Sequence, residues 1–218
     1  MSLNFSNKIW NKRKVILAEQ KIDSNIPIRV VIGFHGADSI PENMVVHSSK
    51  LNITNSLLVF PEGPVEANNG LRSWWQDGPK QKETVLSFIT TTDEIFNQVF
   101  KYSKENYGTA SIELFTWGFS QGAAAVLVTI LFGSQPIKKA ASICGFLPEL
   151  PYVIPLQKAP VPILGIFGTN DEVVPAFLAE HALEEVNQNG HQTQIKETSQ
   201  GHQITPENLS EINQYFIN

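Results

Sequence analysis

The 218-residue sequence predicts an α/β fold, a mostly parallel central sheet covered by helices on both faces. Two observations carry this. Strand-length and helix-length segments alternate through the second half of the chain. The strand candidates there are near-continuous apolar runs, as in 112–117 and 162–167, the pattern of strands buried on both faces. No linker or shift of composition divides the sequence, so a single domain over residues 1–218 is expected. Hydrophobic residues make up 42% and charged residues 17%, which is too apolar for disorder and sufficient for a large core.

In chain order, residues 15–19 and 28–34 are β-branched runs separated by Asp23-Ser24-Asn25, which reads as two neighbouring strands joined by a turn. Residues 41–48 read as a short helix, with Pro41 in its first turn and Ser39 as candidate cap. Residues 57–60 form a buried strand. Residues 61–79, with three Gly, three Pro and the pair Trp74-Trp75, show no periodic pattern, and a loop of that length is a candidate pocket wall. From 84 to 107, Val85, Phe88, Ile89, Phe96, Val99 and Phe100 make one apolar stripe of a long helix that Gly108 ends. Then follow a strand at 112–117, a nearly all-apolar helix at 121–132, and strands at 140–144 and 162–167. A helix at 176–189 closed by Gly190, a strand at 194–197 and an amphipathic helix at 206–217 complete the chain. Ligands of such sheets sit at the carboxyl ends of the strands.

The net charge of -5 supplies no basic field, which excludes nucleic acid or an anionic membrane surface as the main partner and favours a small or neutral substrate. The longest apolar stretch, 123–132, falls far short of the roughly 20 residues of a membrane span, so no stable membrane insertion is expected. The lone Cys144 makes no internal disulfide, and residues 1–14 contain no apolar signal region, so a cytoplasmic location is expected. The sequence does not indicate the oligomeric state.

Gly118-Phe119-Ser120-Gln121-Gly122 lies between an apolar strand and an apolar helix, the setting that a G-x-S-x-G nucleophile elbow requires. A sharp strand-to-helix turn leaves no room for β-carbons beside the serine, and it exposes the hydroxyl. Serine needs a histidine to take its proton and a carboxylate to orient that histidine. Asp171 follows the strand ending at Phe167, and His202 follows the strand ending near Glu197, which gives the chain order Ser, Asp, His. Glu172 is the local rival for the acid. His47 and His191 have no supporting pattern, and His181 with Glu184 and Glu185 reads as a solvated helix face, so no metal is expected. His35-Gly36-Ala37 ends a strand where lipases and esterases carry the loop that donates to an oxyanion. The backbone N–H groups of Ala37 and Gln121 are therefore the candidate oxyanion hole.

Together these residues resemble the phospholipase/carboxylesterase family of α/β-hydrolases, which includes small carboxylesterases, lysophospholipases and acyl-protein thioesterases. The resemblance runs from about Val30 to the C-terminus, through Phe34-His35-Gly36, Phe60-Pro61, Arg72-Ser73-Trp74-Trp75, the Ser120 elbow, Cys144-Gly145-Phe146-Leu147-Pro148, Gly168-Thr169-Asn170-Asp171 with Val173-Val174-Pro175, and Gly201-His202. It implies the α/β-hydrolase fold and a cofactor-free esterase or thioesterase acting on acyl esters, with the triad already named. Three positions depart from the family pattern. The loop after His35-Gly36 is shortened, Gln76 separates Trp75 from Asp77, and Cys144 stands where a serine is usual. Cys144 reads as a small buried residue.

Ile40, Met44, Trp74, Trp75, Phe146 and Leu147 lie on loops expected at the carboxyl edge and are candidate acyl-binding residues, with capping of the core as the alternative for the tryptophans. The same triad also serves acyl transfer and peptide hydrolysis, and a catalytically silent binding module is the alternative from another class.

Overall fold

The computed structural model describes residues 3–108, 111–155 and 159–218. Among the described residues, eight strands form one sheet. The first two, β1 (Asn4–Trp10) and β2 (Arg13–Glu19), make an antiparallel hairpin across Asn11-Lys12. Both turn residues have positive φ, 49° and 68°, as tight hairpin turns require. β1 is an exposed edge strand with little apolar alternation, and the sequence reading placed no strand there.

β3 (Ile28–Phe34) is not the neighbour of β2, contrary to the sequence reading. β4 (Ser56–Pro61) lies between them, antiparallel to β2 and parallel to β3. β3 is buried on both faces, and parallel partners on its two edges, β4 and β7 (Ile112–Phe119), satisfy its backbone. Parallel pairing then continues through β8 (Ile137–Ile143), β9 (Pro162–Gly168) and β10 (Gln192–Thr198). Six parallel strands thus end on one edge.

Alternate side chains of these strands serve two cores. Val30, Ile32 and Leu114 pack under α2 (Gln81–Tyr107), α3 (Gln121–Phe132) and α4 (Ala176–Gln188). Val31, Phe115 and Trp117 pack under α1 (Pro41–Ser48) and α5 (Pro206–Ile217). α3 is buried from Gln121 to Leu131, which explains its nearly all-apolar sequence. Each fully buried Leu, Val or Phe in these layers contributes about 1.5–3 kcal/mol. Among the described residues, no helix is long and apolar enough to cross a membrane.

The cap of α1 is Ile40, without a side-chain hydrogen bond, rather than Ser39. Ser39 is committed elsewhere, because its backbone forms an isolated bridge to Arg72. The 61–79 segment also departs from the patternless expectation. It holds a small ribbon, β5 (Val65–Glu66) against β6 (Arg72–Ser73), that delivers Trp74 and Trp75 into the core, edge-on to Phe88 of α2.

Candidate active site

Ser120 occupies the single residue between β7 and α3, at φ 55° and ψ -123°. Such a backbone costs a non-glycine residue about 1–3 kcal/mol and persists only where its surroundings hold it. Here Ser120 N–H donates to Ile143 O at 3.0 Å, and Ser120 O accepts from Ala124 N–H at 3.0 Å. A β-carbon on Gly118 would lie 2.2 Å from Gly122 O, and one on Gly122 would lie 2.1 Å from Phe34 O. Both glycines are therefore demanded by close backbone approach, which sets the serine hydroxyl at the mouth of the strands.

Asp171 and His202 stand just beyond the ends of β9 and β10. His202 Nε2 lies 2.9 Å from Ser120 Oγ, and His202 Nδ1 lies 2.8 Å from Asp171 Oδ2. The other carboxylate oxygen accepts from the N–H groups of Val173 at 2.9 Å and Val174 at 2.8 Å. Burial of the carboxyl opposes its charge, but the Val174 N–H, His202 and the Val173 N–H outweigh it and hold its pKa below the ordinary value. An ionised carboxylate only accepts, so it selects the tautomer with the proton on Nδ1 and leaves Nε2 free to accept from the serine. Glu172, the rival acid, is exposed. Phe119 packs on the His202 ring at 4.8 Å between centroids.

The loop after β3 passes close to the serine. The place of a β-carbon on Gly36 is 3.7 Å from Ser120 Cβ, and Ala37, Ser120 and Gln121 line one cavity. Short as it is, this loop is clamped. Asp38 N–H donates to Ser73 Oγ at 2.9 Å and Ser73 Oγ donates to Asp38 Oδ1 at 2.9 Å, while Ser39 and Arg72 exchange backbone hydrogen bonds. His35 is buried beneath it. Its Nε2 accepts from Gly63 N–H at 3.1 Å, which leaves Nδ1 to donate to Gly36 O at 2.7 Å. Burial pushes its pKa down to about 4, so the ring is a neutral strut. The Gln121 side chain is equally fixed, accepting from Trp74 N–H and donating to Trp75 O.

Two cavities meet at Ser120. One, of about 440 Å³, is lined by polar Asp38, Asn43 and His47 together with Met44, Phe119 and Ile204. The other, of about 270 Å³, is more apolar, with Phe146, Val173, Val174 and Leu178. Of the six candidate acyl-binding residues, only Met44 and Phe146 line these two cavities. Trp74 is fully buried, with its indole N–H on His35 O, and buried Trp75 lines a separate polar cavity with Ala37 and Gln121. Ile40 lines none of the three, and Leu147 packs against the core. Sequence reasoning missed Val173, Val174 and Leu178, although the place of the two valines just after Asp171 was a usable signal. It also missed Ile204, two residues past His202.

Among the described residues, Cys144, Asp171 and His202 are the one group of three with metal-ligating atoms close together, within 4.8 Å. Their atoms are committed to hydrogen bonds with each other, Ser120, Val173, Val174 and Gln200.

The fold has solved counterparts. SOBER1 of Arabidopsis thaliana superposes with a TM-score of 0.71 at 23% identity, covering 87% of this chain and 98% of that one. A carboxylesterase of Mesorhizobium loti gives 0.76 at 14% identity, covering 97% and 99%. Acyl-protein thioesterase 2 of Zea mays gives 0.72 at 18% identity, covering 93% and 97%. These similarities establish the α/β-hydrolase architecture. The model of the phospholipase/carboxylesterase family matches residues 19–218, nearly the whole chain, and on that match the protein belongs to this family of serine hydrolases.

Proposed function

We propose that the protein hydrolyses carboxylic esters, thioesters included, through an acyl-enzyme on Ser120. The observation that carries this reading is the continuous relay from Ser120 Oγ through His202 to Asp171, with both links under 3 Å. Ser120 Oγ attacks the acyl carbonyl while His202 Nε2 takes the hydroxyl proton, and Asp171 steadies the imidazolium that forms. The N–H groups of Ala37 and Gln121 hold the oxyanion. The C–O or C–S bond then breaks, and His202 passes its proton to the leaving alcohol or thiol. Water repeats the sequence to release the acid and restore Ser120.

The two cavities divide the substrate. The apolar arm between Phe146, Val174 and Leu178 suits the acyl chain, and the polar arm past Asp38, Asn43 and His47 suits the leaving group. Labelling with a fluorophosphonate, read by peptide mass, tests the nucleophile. One phosphonyl adduct on Ser120 is expected, and a folded enzyme that turns over esters without labelling there would refute the reading.

A further inference from the structure

Cys144 follows β8 at φ 51°, a left-handed backbone that a side chain seldom adopts. Its N–H donates to Ile166 O at 2.8 Å, which pins it against β9. The residue is fully buried, and its sulfur lies within 4.8 Å of a carboxylate oxygen of Asp171 and of a ring nitrogen of His202. A carboxylate has no proton to give, so in any hydrogen bond between the two the S–H is the donor. On its other side, Gln200 Nε2 lies 3.6 Å from Cys144 Sγ. A sulfur that accepts from an amide keeps its single hydrogen for another partner, and the Asp171 carboxylate is the acceptor beside it.

Gln200 is itself held firmly. Its Nε2 also donates to Gln203 O at 3.0 Å, and its Oε1 accepts from Asn208 Nδ2 at 2.8 Å. Asn208 is locked in the reciprocal cap of α5 with Thr205. A chain of fixed groups thus runs from the start of α5 through Gln200 to Cys144, beside the carboxylate.

We infer that Cys144 is a positioning residue for catalysis: its S–H donates to Asp171, fixing the plane of the carboxylate that orients His202, while Gln200 fixes the direction of the thiol. This rests on the Ser120–His202–Asp171 reading. Burial and then the Asp171 carboxylate push the thiol pKa up to about 12, so the donor keeps its hydrogen over the whole working range of pH. A cysteine that merely filled space would behave differently on truncation. Alanine would replace it well, and serine, a buried hydroxyl, would fare no better.

The test is kcat and KM for a p-nitrophenyl ester in Cys144→Ala, Cys144→Ser, Gln200→Leu and Ser120→Ala, with Tm for each. Loss of one hydrogen bond to a charged group predicts that Cys144→Ala lowers kcat about tenfold at constant KM. Cys144→Ser, which restores a donor, recovers most of that loss, and Gln200→Leu falls between the two. Equal kcat in the alanine and serine variants, or wild-type kcat in Cys144→Ala, overturns the inference. If Cys144→Ala does not fold, Gln200→Leu decides, and wild-type kcat there overturns it equally. Full turnover in Ser120→Ala would instead refute the triad itself, so the two failures are distinct.

Discussion

Gly168 and Gln200 approach so closely that a β-carbon on the glycine would lie 1.9 Å from the Gln200 carbonyl oxygen. Beside them, Thr169 N–H donates to Thr198 O at 2.8 Å. The loops carrying Asp171 and His202 are thus closed against each other before either reaches Ser120. Gly168→Ala is expected to lose at least about 2 kcal/mol of stability, because the clash is with backbone that must shift, and to lower kcat with it. Urea unfolding and steady-state kinetics check this. An alanine variant with normal stability and turnover would mean that the two loops move independently.

Ser120→Ala, His202→Ala and Asp171→Asn are each expected to lower kcat by at least about 10³-fold, since such residues act as a unit and only oxyanion and binding effects survive their loss. KM should change little. Normal kcat in Asp171→Asn would transfer the acid's role to another residue.

Ser73 reaches the chemistry only through Asp38. Ser73→Ala removes the two side-chain hydrogen bonds of the clamp and leaves the Ser39–Arg72 backbone pair, and a displaced Ala37 N–H is expected to cost kcat about tenfold. Stability should fall by only about 1–2 kcal/mol. Unchanged kcat would remove Ala37 from the oxyanion hole.

For p-nitrophenyl esters, kcat/KM is expected to climb from acetate toward about hexanoate or octanoate, at up to roughly fourfold per methylene buried. Phe146→Ala and Leu178→Ala should flatten the climb, because both line the apolar arm. Trp75→Ala should act on the core instead, lowering stability by about 3–5 kcal/mol, as a buried aromatic does. A profile that peaks at acetate would assign the arm to something other than acyl chains.

His35 makes the fold sensitive to acid. With its folded pKa held near 4 against 6.5, the unfolded chain binds the extra proton between those values. Stability therefore rises with pH through that window, is fully present above about pH 6.5, and loses about 3 kcal/mol by pH 4. His191 and His47, both lowered first by burial, add losses of the same sign. Urea midpoints at several pH values check this, and His35→Gln should show a shallower slope. A flat wild-type curve would contradict it.

The parallel half of the fold was legible because strands buried on both faces and the helices between them leave unambiguous runs, and the Ser120 elbow was legible because two glycines at fixed spacing answer a local steric demand. Pairing order was not. Nothing local in residues 15–34 says that β4 inserts between β2 and β3, since sheet order is set by packing far along the chain. β1 was hidden because an exposed edge strand needs no apolar pattern. The tryptophans were misleading for a similar reason. A loop rich in Gly and Pro looks open to solvent, yet this one folds back as a ribbon and buries both rings.

The backbone at Ser120 has a bearing on how such a chain ages in evolution. Glycine would sit at φ 55° with less strain, so Ser120→Gly offers a gain of stability whenever catalysis carries no advantage. A lineage released from that need would drift toward glycine at 120 long before its core decayed. On the proposed catalytic reading, a serine held in a posture that suits glycine better is the trace of selection for reactivity.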